Sequence, residues 1–152
     1  MILTRILQPG CVKVPLAGTD KRSVITELVN LLDSNKLLSD KDAALAAVLT
    51  REQTKSTGIG SGVAIPHGKC RAVSKLVMAI GIARHAIDFN SVDGKPVSIV
   101  MLLISPSDQT GPHIQALAQI SRLMLDEQLR EKLRKANSAQ DVCDLLSSKE
   151  SE

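Results

Sequence analysis

Two nearly continuous apolar segments, residues 76–84 and 97–105, place the strongest constraint on the fold of this chain. Both are rich in Val, Ile, Met and Leu, and neither alternates apolar and polar residues as a strand with one solvated face does. Each is therefore predicted to be a strand that is covered on both faces. The Asp-Gly-Lys sequence at residues 93–95 predicts a turn between them. A sheet of such strands requires helices on both sides.

Two segments with helical spacing precede these strands. Residues 20–36 carry apolar side chains three and four positions apart, and Thr19 or Asp20 can cap this helix. The second helix is predicted to begin at Ser39, with a Ser-x-x-Asp capping box, and to carry Arg51 at its C-terminal end. A glycine-rich segment follows at once, so Arg51 lies close to it in the sequence.

Three further helices are predicted after the strands. The first opens at Gly111 and Pro112 and holds His113 in its first turn. Its expected apolar face consists of Ile114, Leu117, Ala118 and Ser121. The other two cover residues 126–135 and a segment from Ser138 onward, which begins with a second Ser-x-x-Asp box.

Helices and strands alternate without a linker or a repeat, which predicts one α/β domain over residues 1–146 and a loose tail over residues 147–152. A chain of 152 residues, 43% hydrophobic and 23% charged, has the size and balance of one globular domain. No apolar run reaches the roughly 18 residues that span a membrane, and the N-terminal segment lacks the features of a signal peptide. We therefore expect a cytoplasmic protein without direct membrane insertion.

Charge, aromatic content and cysteine usage argue against nucleic-acid binding and against a disulfide-stabilised fold. A net charge of +3 is too small to predict a polyanionic partner, and Phe89 is the one aromatic residue, so bases have no stacking platform. Cys11, Cys70 and Cys143 are odd in number and form no CxxC pair. We expect neither a nucleic-acid partner nor a disulfide framework.

The residues most suited to chemistry lie in STGIGSGVAIPHGK, residues 56–69. Four glycines and a Pro-His-Gly corner present His67 on a bend, because glycine permits positive φ and proline fixes φ and lacks an N–H. The spacing from Gly62 to Gly68 is one residue too long for a P-loop, and a helix instead of a strand precedes the segment. A nucleotide site is therefore not expected, although the loop amides can still bind a smaller phosphoryl group.

A metal site is the second alternative. His67 and Cys70 have the spacing His-x-x-Cys, and His85 or His113 can add a ligand if the fold brings it close. No second closely spaced pair of ligands is present, so the metal signal is weak and no metal or cofactor is predicted. From the residues alone, a hydrogen-bonded loop histidine remains an open interpretation of His67.

The segment TREQTKSTGIGSGVAIPHGK, residues 50–69, resembles the active-site segment of the IIA domains of the bacterial sugar phosphotransferase system, mannitol/fructose type. The resemblance covers nearly the whole chain, including DQTGPHIQAL at residues 108–117, and is closest to the nitrogen-regulatory IIA proteins. It implies a mixed, roughly five-stranded sheet flanked by helices on both faces. It also implies that His67 accepts a phosphoryl group from a histidine-containing phosphocarrier protein, with Arg51 and His113 beside it.

The chemistry of these residue types suits that role. A neutral imidazole with a pKa of about 6.5 has a free lone pair near pH 7 and can attack phosphorus without a metal. The planar fork of Arg51 can bind two phosphoryl oxygens, and His113 in the first turn of a helix can donate an N–H. Further candidates in the phosphoryl-binding loop are Ser56, Thr57, Ser61 and Gly68.

Ser61 departs from the pattern of the sugar-specific domains. Mannitol- and fructose-type domains usually have Glu at this place, six residues before the histidine. A carboxylate would repel a phosphoryl group or bind the arginine, so its absence is expected to alter how Arg51 is held. The departure favours a regulatory output through a kinase, a transporter or a regulator. The alternative is a sugar-transport component that passes phosphate to a IIB domain.

Overall fold

A mixed sheet of six strands forms the centre of the computed structural model, which describes residues 2–152. The strands are β1 (Val12–Lys13), β2 (Gly58–Gly60), β3 (Val63–Ala64), β4 (His67–Cys70), β5 (Val77–Ile87) and β6 (Val97–Pro106). The helices are α1 (Lys21–Ser34), α2 (Lys41–Thr54), α3 (Thr110–Leu123), α4 (Glu127–Arg134) and α5 (Ala139–Glu150). The predicted α/β fold with a mixed sheet is confirmed, with about one strand more than expected.

Strand β6 is the central strand of this sheet. It pairs antiparallel with β5 and parallel with both β3 and β4. Strand β1 pairs in parallel with the outer side of β5, and β2 pairs antiparallel with β3. The glycine-rich segment, expected to be a loop, contributes β2, β3 and the start of β4.

The two long strands are covered on both faces, as their continuous apolar pattern predicted. From Ile99 to Ile104, successive residues of β6 alternate between two buried clusters, with Met101 in one and Leu102 in the other. Helices α1 and α2 supply side chains such as Ile25 and Val48 to the Leu102 cluster. Helices α3, α4 and α5 supply side chains such as Ile120 to the Met101 cluster. Burial on both sides explains why neither strand shows polar alternation.

Capping determines where the helices before and after the sheet begin. Asp20 caps α1 and is one of the two residues proposed for that cap, and Ser138 caps α5 as the sequence predicted. Helix α2 begins one residue later than predicted, because the carboxylate of Asp40 accepts the amide hydrogen of Ala43 at 3.0 Å. The hydroxyl of Ser39 instead donates to the carbonyl oxygen of Ala72 at 3.2 Å. An aspartate at the next position thus displaces the predicted cap.

The apolar face predicted for α3 is wrong. The buried residues of α3 are His113, Ala116, Ile120 and Leu123, whereas Ile114 is 60% exposed. Of the other three predicted residues, Leu117 is half-buried, and Ala118 and Ser121 are exposed. The prediction treated His113 as polar and so shifted the apolar stripe away from it. The fold instead turns His113 inward and leaves Ile114 outside.

The C-terminal segment differs from the loose tail expected over residues 147–152. Helix α5 continues through Glu150. The carboxylate of Glu150 accepts the backbone N–H groups of Leu3 and Thr4, at 2.8 and 3.0 Å, and the side-chain amide of Gln119 at 3.0 Å. These long-range bonds hold the last turn of α5 against the N-terminal segment. None of the helices in residues 2–152 has the length and apolarity that crossing a bilayer requires.

Candidate functional site

The glycine-rich segment folds into a short hairpin that leads directly into β4. Ser61 and Gly62 turn the chain between β2 and β3 with φ angles of 58° and 79°. Glycine adopts such positive φ values without steric cost, so Gly62 suits this turn. The next strand residues, Val63–Ala64, pair with β6, and β4 resumes pairing with β6 in the same register at His67. Pro66 lies between them and has no N–H to donate.

Helix α2 packs directly against the backbone of β4 because residue 68 is a glycine. A Cβ atom on Gly68 would lie 3.2 Å from the backbone carbonyl carbon of Ala47 and 3.2 Å from the backbone nitrogen of Val48. Neither backbone atom can move without shifting the helix. The absence of a side chain therefore allows α2 to pack on the strand that begins with His67, and α2 carries Arg51 in its last turn.

The three residues predicted to be catalytic line one cleft of about 740 Å³ between α2 and the first turn of α3. Arg51 comes from α2, His67 from β4 and His113 from α3. The other lining residues are Ala43, Ala46, Ala47, Thr50, Thr54, Gly68, Lys69, Thr110 and Ile114. This set contains two permanent cations and no carboxylate, so the cleft attracts small anions.

The hydrogen bonding of His67 leaves one defined ring nitrogen for chemistry. Its Nδ1 atom lies 2.7 Å from the carbonyl oxygen of Ile65. A carbonyl oxygen can only accept, so Nδ1 carries the hydrogen and the lone pair of the neutral ring lies on Nε2. Within residues 2–152, Nε2 of His67 has no hydrogen-bond partner. The structure thus presents a half-buried, unprotonated Nε2.

Burial lowers the pKa of His67 below its ordinary value, and the Arg51 guanidinium acts in the same direction. The hydrogen bond to Ile65 and the carboxylate of Glu52 oppose that shift without cancelling it. The imidazole is therefore neutral at pH 7, which is the state that can act as a nucleophile.

His113 is a second neutral imidazole beside the first. The two ring centroids are 5.4 Å apart, with 57° between the ring planes. Burial, together with the nearby charges of His67 and Lys69, lowers the pKa of His113 to about 4. Its Nδ1 atom lies 2.6 Å from the hydroxyl oxygen of Ser105. His113 is therefore available as a neutral hydrogen-bonding group at pH 7.

The two cations of the cleft are held at their positions by single hydrogen bonds. The Nη1 group of Arg51 donates to the carbonyl oxygen of Lys55 at 2.9 Å, at the end of α2. The ammonium group of Lys69 donates to the hydroxyl of Thr110 at 3.2 Å. In the described part of the chain, the remaining N–H groups of Arg51 have no protein acceptor, so they are available to an anion.

Glu52 is a structural residue of the site that sequence reasoning did not identify. Its buried carboxylate accepts the backbone N–H of Thr57 at 2.9 Å and the hydroxyl of Thr57 at 2.5 Å. It also pairs with the ammonium of Lys21 at 3.0 Å. The available signal was spacing, since Glu52 continues the buried stripe of Ala44 and Val48 at four-residue intervals along α2. Glu52 fastens the start of the hairpin to the helix that carries Arg51.

Of the four candidate loop residues, Gly68 lines the cleft, and Ser56, Thr57 and Ser61 do not. The hydroxyl of Ser56 donates to the carbonyl oxygen of Phe89, and that of Thr57 donates to Glu52. The hydroxyl groups of Ser56 and Thr57 thus stabilise the hairpin.

The backbone of Ser61 forms hydrogen bonds with two side chains from outside the hairpin. Its N–H donates to the carboxylate of Asp93 at 3.0 Å, and its carbonyl oxygen accepts from Arg134 at 2.6 Å. No hydrogen bond joins Ser61 to Arg51 in the structure of residues 2–152. The sequence predicted that Ser61 affects how Arg51 is held. Among the described residues, no hydrogen bond between the two produces such an effect.

The arrangement fits transfer of a small anionic group to an imidazole. An unprotonated ring nitrogen faces a cleft that provides a guanidinium, an ammonium and a second neutral imidazole. Among the residues described, no three His, Cys, Asp or Glu side chains lie close enough to bind a metal ion together.

The family model described as "Phosphoenolpyruvate-dependent sugar phosphotransferase system, EIIA 2" matches residues 5–149. The fructose-specific EIIA component of Haloferax volcanii is 39% identical over 126 residues, which cover 83% of this chain and 82% of that protein. A nitrogen regulatory protein of Bradyrhizobium diazoefficiens is 34% identical over 147 residues, which cover 96% of this chain and 95% of that protein.

Relatives also include longer proteins and a solved structure. The chain spans 23% of the length of the fructose-specific EIIABC component of Bacillus subtilis, to which it is 34% identical over 96% of its own length. The crystal structure of nitrogen regulatory protein IIA-Ntr from Neisseria meningitidis matches with a TM-score of 0.88 at 30% identity, covering 95% of this chain and 98% of that one. Proteins named for fructose and for nitrogen regulation are thus similar to this chain to nearly the same degree.

Proposed function

Because the chain belongs to the EIIA 2 family of the phosphoenolpyruvate-dependent sugar phosphotransferase system, we propose that it is a phosphocarrier that accepts a phosphoryl group on Nε2 of His67. The observation that carries this proposal is the 2.7 Å hydrogen bond between Nδ1 of His67 and the carbonyl oxygen of Ile65. It directs the lone pair of the ring to Nε2, on the side that has no protein partner within residues 2–152. The donor is a histidine-containing phosphocarrier protein, as the resemblance of the active-site segment implies.

Transfer forms the Nε2–P bond of His67 and breaks the N–P bond of the donor histidine. The transition state is loose and in line, with charge on the three equatorial oxygens, so the protein acts mainly by position and electrostatics. No proton has to leave His67, because its Nδ1–H stays bonded to Ile65 while the ring gains positive charge. That charge strengthens the hydrogen bond to the carbonyl oxygen.

Three side chains of the cleft interact with the phosphoryl oxygens. The free N–H groups of Arg51 bind two of them, as a planar guanidinium does. Lys69 adds a second positive charge, and His113 donates a hydrogen bond from its imidazole. Together these groups offset the one to two negative charges that a phosphoryl group adds at pH 7.

The output of this phosphocarrier is regulatory in our proposal. Ser61 supplies no carboxylate to the turn where sugar-specific domains usually have Glu, which favours the nitrogen-regulatory branch. A kinase, transporter or regulator would then read the phosphorylation state of the cleft. The second candidate is transfer to a IIB domain in sugar uptake, and the 39% identity to a fructose-specific component supports it.

Reconstitution with phosphoenolpyruvate, enzyme I and the histidine-containing carrier tests the phosphocarrier proposal. Intact-mass spectra should show one acid-labile phosphoryl group, which His67→Ala abolishes. His85→Ala is the matched control, because His85 is exposed on β5 and does not line the cleft. An unmodified wild-type mass, or equal labelling of the His67→Ala protein, would contradict the proposal.

A chase experiment separates the two outputs. The labelled protein is mixed with purified IIB domains of fructose and mannitol type, and loss of the label is followed over time. Rapid transfer to either domain would support sugar uptake. Retention of the label, together with binding of a regulatory target that depends on phosphorylation, would support the regulatory output.

A further inference from the structure

Ser105 and His113 form a buried side-chain pair behind the cleft. Ser105 is the penultimate residue of β6 and has no exposed surface, and His113 is 6% exposed. The hydroxyl oxygen of Ser105 lies 2.6 Å from Nδ1 of His113. In the chain described here, that nitrogen is the one hydrogen-bond partner of the Ser105 hydroxyl. Sequence reasoning assigned no role to Ser105.

The pair has one arrangement that satisfies both groups. If Ser105 donates its O–H to Nδ1, the hydroxyl hydrogen and the nitrogen lone pair are both used. If Nδ1 carried the hydrogen, the hydroxyl would accept it, and its own hydrogen would point into a buried region without an acceptor. A buried unsatisfied donor is costly, so the first arrangement is preferred. In this arrangement, Nε2 of His113 carries the ring hydrogen.

The Nε2 atom of His113 is the one that can act in the cleft. It has no hydrogen-bond partner among residues 2–152, and it is not one of the buried polar atoms left without a partner, so it reaches the solvent of the cleft. The neighbouring ring of His67 has the opposite tautomer, because its Nδ1 bonds a carbonyl oxygen instead of a hydroxyl group. One imidazole thus offers a lone pair and the other offers an N–H.

We propose that Ser105 is a positioning residue that holds His113 in the Nε2–H tautomer, so that His113 donates a hydrogen bond to the phosphoryl group on His67. This inference rests on the proposed phosphocarrier function and adds a residue that acts through His113 without touching the phosphoryl group. A donor that is oriented before the reaction needs no reorganisation in the transition state, which is why its orientation affects the rate. Ser105 also prevents the ring from turning its lone pair toward the phosphoryl oxygens, which would repel them.

The first test measures the tautomers directly in the unphosphorylated protein. Imidazole ¹⁵N spectra should show an unprotonated Nδ1 for His113 and an unprotonated Nε2 for His67. Ser105→Ala should reduce the preference of His113 for the Nε2–H form about five-fold, the value of one neutral hydrogen bond. Ser121→Ala, an exposed position on α3, is the matched control. A wild-type His113 with hydrogen on Nδ1, or an unchanged tautomer in Ser105→Ala, would overturn the inference.

The second test measures phosphoryl transfer to the same variants. Ser105→Ala should slow transfer from the carrier about five-fold with little change in KM, and Ser105→Thr, which keeps the hydroxyl, should restore the rate. In a His113→Gln background, Ser105→Ala should have no further effect, because its route of action has been removed. An additive loss in the double variant would instead indicate a general structural effect and would overturn the inference.

The two tests also separate this inference from the proposed function. The tautomer spectra need no phosphoryl donor, so they report on Ser105 whether or not the protein is a phosphocarrier. A wild-type protein that takes up no phosphoryl group overturns the proposed function. A wild-type protein that is phosphorylated normally, with a Ser105→Ala variant equal in rate, overturns the role of Ser105 alone.

Discussion

At the scale of the residue, the chemistry of the cleft depends on which atom of each side chain is already occupied. His67 uses Nδ1 to bond Ile65, and His113 uses Nδ1 to bond Ser105, so both rings turn Nε2 toward the open side. Burial lowers the pKa of both rings, which keeps them neutral next to Arg51. A protonated His67 would have no lone pair, so the low pKa maintains the nucleophile.

Replacing Arg51 should weaken phosphorylation without unfolding the protein. Arg51→Ala removes the fork that binds the phosphoryl oxygens, and a loss of about 100-fold in the transfer rate is expected. The transfer rate of Arg51→Lys should lie between those of the wild type and Arg51→Ala, because lysine keeps the charge and loses the bidentate geometry. The single hydrogen bond of Arg51, to Lys55, predicts a stability change of less than about 1.5 kcal/mol.

Transfer assays with the purified carrier, paired with urea unfolding, check the prediction for Arg51. Arg22→Ala is a suitable control, since Arg22 is exposed on α1 and lies outside the cleft. A transfer rate that does not change in Arg51→Ala would remove Arg51 from the site.

The low pKa of His113 predicts a specific loss of stability in acid. The unfolded chain takes up a proton on this residue below about pH 6.5, whereas the folded protein resists it down to about pH 4. The unfolded state therefore binds more protons in this window, and the free energy of unfolding falls as the pH drops from about 6.5 to about 4. His67 acts in the same direction, because its pKa is also lowered.

Replacing His113 by Gln removes its share of that loss. As the pH falls from 7 to 4, the free energy of unfolding of the wild type should decrease by about 1–3 kcal/mol more than that of His113→Gln. Urea titrations at a series of pH values measure this difference, and His85→Gln serves as the exposed control. Parallel curves for the wild type and His113→Gln would show that His113 does not titrate as predicted.

At the scale of the element, the site depends on how closely α2 packs against β4 and how firmly the hairpin is held. Gly68 allows the backbone of α2 to approach β4, and Glu52 ties the end of α2 to Thr57 at the start of the hairpin. Asp93 and Arg134 hold the hairpin turn from two other segments. The position of His67 relative to Arg51 therefore follows from contacts between elements.

Adding a methyl group at Gly68 should disturb both stability and function. The new Cβ would meet two backbone atoms of α2 at 3.2 Å, so the helix must shift, at a cost of about 1–3 kcal/mol. The same shift would move Arg51 away from His67 and slow phosphorylation. Gly111→Ala is the matched control: a Cβ there meets nothing within 4 Å, and alanine favours helix by up to about 1 kcal/mol.

Thermal or urea unfolding of the two alanine variants checks this prediction, together with their transfer rates. Equal stability of Gly68→Ala and Gly111→Ala would mean that α2 and β4 have more room between them than the structure shows.

At the scale of the whole molecule, the two termini are joined in a way that the sequence did not indicate. Glu150, near the end of α5, accepts backbone N–H groups of the 3₁₀ helix Leu3–Arg5 and the side chain of Gln119 in α3. Lys149 adds an ion pair with Asp126 at 2.8 Å, at the start of α4. The last turn of α5 therefore connects three separate parts of the fold.

Truncation after residue 146 should destabilise the protein by about 1–3 kcal/mol, because buried and half-buried N–H groups lose a charged acceptor. Glu150→Gln in the full chain keeps the helix and weakens the same hydrogen bonds, so it should show a smaller part of this loss. Urea unfolding of both variants measures it, and phosphorylation of His67 should persist in each. Unchanged stability of the truncated chain would mean that residues 147–152 behave as the loose tail that their sequence suggested.

Features encoded in short stretches of sequence could be predicted well. The continuous apolar runs of β5 and β6 and the caps Asp20 and Ser138 each depend on neighbours in the chain. The bend predicted at the Pro-His-Gly segment is wrong, because His67 begins β4, which pairs with β6 in the same register as β3. The burial of Glu52 could have been recognised from its spacing with Ala44 and Val48, but its hydrogen bonds to Thr57 form only in the folded hairpin. Ser105 could not be assigned from local sequence, because it acquires its role from His113 on the next element. The inward turn of His113 was missed for the same reason.

By itself, the sequence determined the α/β class, the order of the five helices and the two long strands, and the choice of His67 as the candidate reactive residue, because periodicity, capping and backbone restrictions act over a few residues. The tertiary structure alone decided which side chains surround His67 and which hold the scaffold. It placed Arg51, Lys69 and His113 in one cleft and turned Ser56, Thr57 and Ser61 away from it. Hydrogen bonds and burial between distant residues fix those positions, and neither is encoded in local pattern.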